Sequence, residues 1–448
     1  MTSKKSLAWC AVLAAVLAIA YATLRPMPAD AYDALPIFCF GCGDLGGLDV
    51  VLNVVLFIPL GAALVAAGWS VRRAALACFL FSLCVESLQF RIVTGRDTSL
   101  SDLTTNSFGG FLGAWLAMSW RWWLLPTARV ARRFTLVAAA AALAVLALTV
   151  AALRPTVPEP PYYGQYAPLR LTEVQFDGVV HSLTVGGVDI PYSIVDSAEA
   201  LRDSLTRGRV WARADITTRS FPGRRSDIVR VGARPEGIVA LSQRQHDLLY
   251  RTRLRASDWK LRVPTVVMRG AFPKRSQRYI IEGALGERGW HMQSRAPDAL
   301  REFDVPFSAL IGWSFFLPFE FPLDERRPFL NALWGAALML PVGYFLAWAV
   351  RGARDGRRRA ARVLSWGTVP ALLITTVSVI LPRFAGFEPA VTVETLGVTS
   401  GLVLGILLAA CVQWAAGVLE SRSSEKSMPN ELQHLSSAHS SRSVDWPA

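Results

Sequence analysis

The chain has 448 residues, 52% of them hydrophobic, with a formal charge of +13 and a positive mean hydropathy. Such a charge could suggest nucleic acid, but the apolar residues come in long blocks with arginines at their ends, and no aromatic-interleaved basic face accompanies them. The pattern is that of a multi-pass membrane protein, and it argues against a nucleic-acid partner.

Eight segments have the length and apolar content of membrane spans: about 7–24, 49–67, 74–92, 102–120, 134–153, 329–350, 363–382 and 394–418. The first is read as retained rather than cleaved, because "ATLRPMPAD" offers a poor small-residue cleavage site. With the N-terminus inside, the cytoplasmic loops receive Lys4, Lys5, Arg72, Arg73, Arg121, Arg129, Arg132, Arg133 and the run "RGARDGRRRAAR", together with Arg422 and Lys426. The short outer loops hold only Arg25, Arg91, Arg96, Arg154 and Arg383. This asymmetry predicts cytoplasmic termini.

In chain order, residues 1–125 form a four-helix membrane unit and 126–155 a fifth helix with its flank. After the Pro-rich linker "RPTVPEPPYYG", residues 156–326 read as an extracytoplasmic insert of short strands. "RVWARADITT", "DIVRVGA", "GIVALSQ", "DLLYRTRLRA", "TVVMRGAF" and "QRYIIEGAL" are rich in strand formers. The first alternates, with Val210, Ala212, Ala214 and Ile216 on one face and Trp211, Arg213, Asp215 and Thr217 on the other. An all-β sandwich follows. Residues 327–420 supply the sixth to eighth helices, and the Ser-rich stretch 421–448 reads as a disordered cytoplasmic tail.

The membrane blocks look like two four-helix repeats. "ATLRP" and "AALRP" end the first and fifth segments, and "FIPLG" and "MLPVG" lie within the second and sixth. "DLTTNSFGGFLG" (Asp102 to Gly113) lies over "ETLGVTSGLVLG" (Glu394 to Gly405) without a gap. In this register Asn53 meets Gly335, Glu86 meets Ser378, Gln89 meets Leu381 and Asn106 meets Val398. Only Asp102 keeps an acidic counterpart, Glu394, so a site is assigned to the first unit. The fold class is therefore a polytopic α-helical membrane protein, eight helices in two repeats, with an inserted β-sandwich.

Polar residues at bilayer depth locate that site, since an Asp, Lys or Arg at the centre of a helix costs roughly 2.5–3.5 kcal/mol to insert. Asp49 and Asn53, Glu86 and Gln89, and Asp102 and Asn106 each share one helical face at a spacing of three or four. The topology brings all three pairs to the outer leaflet, with Arg96 in the connecting loop as counter-ion. A structural reading makes "SLSD" (Ser99 to Asp102) a capping box and the amides helix fasteners. It leaves Glu86 without a purpose. The binding pocket is therefore Asn53, Glu86, Gln89, Arg96, Asp102 and Asn106. Glu86 and Asp102 are the candidates if there is catalysis.

These residues carry a resemblance. "LDVVLNVVLFIPLG" followed by "ESLQFRIVTGRDTSLSDLTTNSFGGFLG" resembles the VanZ-like membrane family at Asn53, Phe57, Pro59, Gly61, Glu86, Gln89, Gly95, Arg96, Asp102, Asn106 and Gly109. The resemblance covers about residues 7–120. The insert is similar to the concanavalin A-like, laminin-G-like sandwich, notably at "ALSQRQHDLLYRTRLRA". The family name implies a link to glycopeptide resistance of the teicoplanin type, without a settled biochemical activity.

"CFGC" places Cys39 and Cys42 in the first outer loop, where a disulfide is expected and thiol exchange is the alternative. Two cysteines with no nearby His do not make a zinc site, and no metal or cofactor is expected. Cys10, Cys78, Cys84 and Cys411 read as packing residues within apolar segments. Two classes of function follow. One is a non-enzymatic protein that binds a membrane lipid, or a lipid-linked or lipid-tailed glycan, with carbohydrate on the sandwich. The other is an enzyme using Glu86 and Asp102 as acid and base on a lipid-linked headgroup. A transporter is a third reading. All five histidines (His181, His246, His291, His434 and His439) lie outside the first unit, and the sequence sets no oligomeric state.

Overall fold

The computed structural model describes residues 2–25, 45–91, 99–168, 174–208, 210–233, 237–351, 366 and 368–426. Arg96, Cys39, Cys42 and the tail from 427 lie outside the described residues. The chain divides into two compact units. One comprises Met1–Ser119, Ala141–Gly335 and Leu372–Val398, so the β domain falls with the first four helices. The other comprises Trp120–Ala140, Ala336–Ala371 and Thr399–Ala448.

The first unit begins with α1 (Thr2–Thr23), α2 (Gly46–Ala66), α3 (Val71–Arg91) and α4 (Leu100–Met118). A short α5 (Trp120–Leu124) leads to α6 (Ala128–Ala152). After the β domain come α9 (Arg327–Val350), α10 (Thr368–Ala385) and α11 (Thr392–Lys426). Among the described residues, six helices are long and apolar enough to cross a membrane: α1, α2, α6, α9, α10 and α11. At 21 and 19 residues α3 and α4 are long enough, but their polar residues lower the hydropathy. Leu7, Leu13, Leu17 and Tyr21 are more than half exposed along α1, a surface that lipid solvates and water would not.

Glycines set how closely α2 and α4 approach. A Cβ on Gly109 would lie 2.3 Å from the Val54 carbonyl oxygen, and one on Gly113 would lie 2.0 Å from that of Ile58. From the other helix, a Cβ on Gly61 would lie 1.9 Å from the Gly110 oxygen. Backbone meets backbone here, the small-residue packing that membrane helices use. Phe57, Leu60, Leu64, Cys78 and Ala114 form the buried core around this seam.

The insert is built as expected, with two six-stranded sheets around one core. The first sheet has the order β1 (Tyr163–Tyr166), β5 (Ser226–Gly232), β6 (Gly237–Arg244), β7 (Asp247–Thr252), β8 (Thr265–Met268), β12 (Pro322–Leu323). The second runs β11 (Ala299–Pro306), β10 (Gly289–Ala296), β9 (Arg278–Leu285), β4 (Val210–Thr218), β2 (Gly178–Val185), β3 (Val188–Asp189). Val210, Ala212, Ala214 and Ile216 are buried, as the alternation in β4 requires. They share the core with Ile228, Val231 and Tyr250 of the facing sheet. The Tyr250 hydroxyl donates to the Val210 carbonyl at 3.0 Å, and Gly283 leaves room for the Tyr250 ring. Two short helices, α7 (Ala198–Thr206) and α8 (Arg255–Asp258), decorate the sheets.

In the second unit, Phe134 packs on Trp122 and Phe345, with ring centroids 6.3 and 5.1 Å apart. The Tyr344 hydroxyl donates to the Leu124 carbonyl. Here α9 and α11 meet as α2 and α4 do. A Cβ on Gly401 would lie 2.3 Å from the Ala336 oxygen, on Gly405 2.2 Å from that of Leu340, and on Gly343 2.0 Å from that of Leu402.

Candidate functional site

The polar residues of the first unit meet where α2 and α4 begin and α3 ends. That end adjoins the β domain: the Leu48 amide donates to the Lys260 carbonyl at 3.2 Å, and a Cβ on Gly47 would lie 2.1 Å from the Trp259 oxygen. Asp49 is exposed at the mouth of α2. One turn further along, Asn53 donates from its Nδ2 to Asp102 Oδ1 at 2.7 Å.

Ser99 joins α3 to α4. As N-cap of α4 its hydroxyl accepts from the Asp102 amide at 3.1 Å, one half of the expected capping box. In the other half the Ser99 amide would bond the Asp102 side chain, but it donates instead to Glu86 Oε2 at 3.3 Å. Both carboxyls are thus tied to one residue, while Asp102 also accepts from Asn53.

Glu86 and Gln89 are 9% and 7% exposed, and Asn106 is 2% exposed. Gln89 donates to the Thr23 carbonyl at 2.9 Å, which draws the end of α1 into the cluster. Asn106 donates to Ser82 Oγ at 3.0 Å. Gln89 Oε1 and Asn106 Oδ1 are buried and accept no hydrogen bond among the described residues. The cluster therefore sets two amide oxygens that accept nothing among the described residues beside two carboxyls. Ser82, fully buried, is a member that sequence reading missed, although it lies one turn before Glu86 on the same face.

The repeat register gave Asn53 a glycine counterpart and left Glu394 without an amide. The structure corrects this. Asn331, one turn before Gly335 on α9, donates to Glu394 Oε1 at 2.5 Å. Its own Oδ1 accepts from Trp313 Nε1 at 2.8 Å, from the 3-10 turn Ala309–Phe315. Asn331 and Glu394 are 0% and 3% exposed. This second pair is closed by protein groups, whereas two amide oxygens of the first cluster have no donor among the described residues.

Among the described residues no group of His, Cys, Asp or Glu could hold a metal ion. Of the four described cysteines, Cys78 alone is buried; Cys10, Cys84 and Cys411 lie on the exposed surface of their helices.

Apolar helices with outward-facing leucines and an inserted pair of sheets define a multi-pass membrane protein with a β domain. Residues 12–124 match the VanZ/LLP1 family, so the segment that carries Asn53, Glu86, Gln89, Asp102 and Asn106 is a VanZ-like unit. Neither the curated proteins nor the solved structures give a match to the chain.

Proposed function

We propose that this protein binds a lipid-linked or lipid-tailed glycan at the outer leaflet of the bacterial cytoplasmic membrane, without itself being an enzyme. One observation carries the reading: among the described residues, buried acceptors of α3 and α4, Gln89 Oε1 and Asn106 Oδ1, have no donor, and they stand beside Glu86 and Asp102 in a VanZ-like unit. Unsatisfied buried acceptors are costly, and a ligand rich in hydroxyl or amine donors would satisfy them. In this reading α3 and α4 also cross the membrane, which makes eight spans, with both termini cytoplasmic and the β domain outside. The matching glycine contacts of α2 with α4 and α9 with α11 support a duplicated unit.

The β domain then holds the sugar. A cleft of about 760 Å³ is lined by Trp211, Trp290 and His291, with the carboxylates Glu287, Asp304 and Glu388 around them. Trp211 is registered with Ala284, and Ala284 with His291, on the outer face of the sheet, whereas Trp290 turns into the core. The single outer indole with acceptors beside it suits a sugar, whose ring presents C–H groups on one side and hydroxyls at its edge. Two sheets around one core agree with the laminin-G-like resemblance.

A second reading, acid and base catalysis on a lipid-linked headgroup, draws support from Ser99, which holds Glu86 and Asp102 in one cluster. The lipid and cell-wall precursor profiles of deletion and Glu86→Gln strains separate the two. Under binding, neither strain accumulates a substrate or lacks a product, and both change susceptibility to teicoplanin-type glycopeptides. A precursor that builds up in both strains would favour the enzyme. An unchanged susceptibility in the deletion strain would remove the link to resistance.

A further inference from the structure

A second cavity, of about 200 Å³, lies on the β domain beside Leu45, the residue that precedes α2. Its floor is a row across three strands. Arg230 of β5 is registered with Ala240 of β6, and Ala240 with Arg251 of β7. Two strand spacings separate the arginine backbones by about 10 Å, and the alanine between them fills little of the slot. Arg253, Ser257 and Lys260 complete the polar wall, and none of the described lining residues is acidic.

The charges are unequally answered. Arg253 pairs with Asp258 at 2.7 Å. Arg251 makes no hydrogen bond or ion pair among the described residues, although burial and the nearby Arg225 pull its pKa down to about 10. At neutral pH it remains a cation. The carboxylates that act on it among the described residues, Glu320 and Asp227, are also engaged elsewhere. Arg225 reaches Asp227 at 3.1 Å and Glu320 at 3.3 Å, Ser242 donates to Asp227 at 2.6 Å, and Thr265 donates to Glu320 at 2.5 Å. Arg251 is half-buried and shares the field of those two carboxylates with Arg225, so an anion entering the cavity would add to an incomplete compensation.

We infer that this cavity binds a phosphate group, as a monoester or a diphosphate, between Arg230 and Arg251 with Lys260 at the rim. Planar guanidinium groups on either side of a slot match phosphate oxygens in pairs, and the ammonium adds a point charge. The phosphate can belong to a lipid headgroup beside α2 or to a soluble sugar phosphate. The inference stands on this cavity's own charge and does not depend on the cluster around Asn53.

The test uses the full-length protein in uncharged detergent and in phosphatidylcholine nanodiscs, reading the midpoint of thermal unfolding. Inorganic pyrophosphate probes the soluble source, and nanodiscs containing phosphatidic acid probe the lipid source. A saturable rise with either probe is expected, beyond that of chloride at equal ionic strength. The probe that acts names the source. Arg251→Gln and, at the rim, Lys260→Gln should each raise the concentration needed by at least tenfold. Without ligand Arg251→Gln should unfold at or above the wild-type midpoint, because a repelled cation is gone. Should Arg251→Gln fold poorly, Lys260→Gln and Arg251→Lys carry the comparison, the latter keeping partial affinity. No rise in wild type, a rise that chloride equals, or one that both glutamine variants keep in full would overturn the inference.

Discussion

Asn331 donates to Glu394 at 2.5 Å across α9 and α11, as Asn53 donates to Asp102 at 2.7 Å across α2 and α4. The same two residue classes fasten both helix pairs, but Trp313 caps the second pair and protein groups close it. Glu394→Gln keeps an acceptor for Asn331 and should leave phenotype and protein level nearly unchanged. Glu394→Leu leaves the buried Asn331 amide with no acceptor and should cost about 1–3 kcal/mol. Thermal unfolding of the two variants in detergent checks the difference.

The glycine seams give a second expectation. In Gly109→Ala and Gly401→Ala the new methyl meets a carbonyl oxygen at 2.3 Å in each case, and backbone cannot swing aside as a side chain can. Each substitution should lower stability by about 1–3 kcal/mol. Gly68→Ala, which meets nothing within 4 Å, has a different fault, a φ of +101°, so strain alone acts there. Folded yield and melting temperature should fall for both seam variants. A Gly109→Ala protein as stable as wild type would show that α2 and α4 are not so closely packed.

Acid should loosen the junction between the β domain and α9. Asp324 is buried and accepts from Arg269 at 2.6 Å and from Arg326 at 2.9 Å. Burial alone would raise its pKa, but these arginines outweigh it and hold the carboxyl at about 2, down from 3.8. With a folded value below the unfolded one, its contribution is complete above about pH 4 and is lost as pH falls toward 2. Both arginines are more than half exposed, so water screens the pairs and the loss should be about 1–2 kcal/mol. Asp324→Asn should remove this part of the acid dependence in urea unfolding followed against pH.

The proposed orientation is checked by fusions. Alkaline phosphatase joined near Gly237 should be active, and joined after Gly417 it should be inactive. The reverse pair of results would contradict the orientation drawn from the Lys/Arg asymmetry.

Much of this was legible in the sequence, for physical reasons. Strand alternation at Val210 to Ile216 depends on period two alone, and those residues are buried as expected. Asn53, Glu86, Gln89, Asp102 and Asn106 could be placed because helical spacing and alternating topology bring three short polar pairs to one end. Strands β10 and β11 were harder to read, since "GWHMQSRA" buries Ser294 among its inward residues and "ALREFDVP" is exposed through Leu300, Arg301 and Glu302 with no alternation. Asn331 escaped because a repeat register compares equal positions, and the second amide lies one turn away from its expected place. Ser99 was read as a cap, but no sequence rule states that its amide turns to Glu86.

The central claim is that the cluster of Asn53, Glu86, Gln89, Asp102 and Asn106 holds a ligand. Mass spectrometry of the lipids retained through purification in mild detergent tests it most directly, comparing wild type with Glu86→Gln and Asp102→Asn. The expected result is a lipid-linked or lipid-tailed glycan bound to wild type and reduced at least tenfold in both variants, at unchanged yield and melting temperature. Variants that fold and retain the same lipids as wild type would contradict the claim. Variants that are degraded would make these residues fasteners of the helix bundle instead.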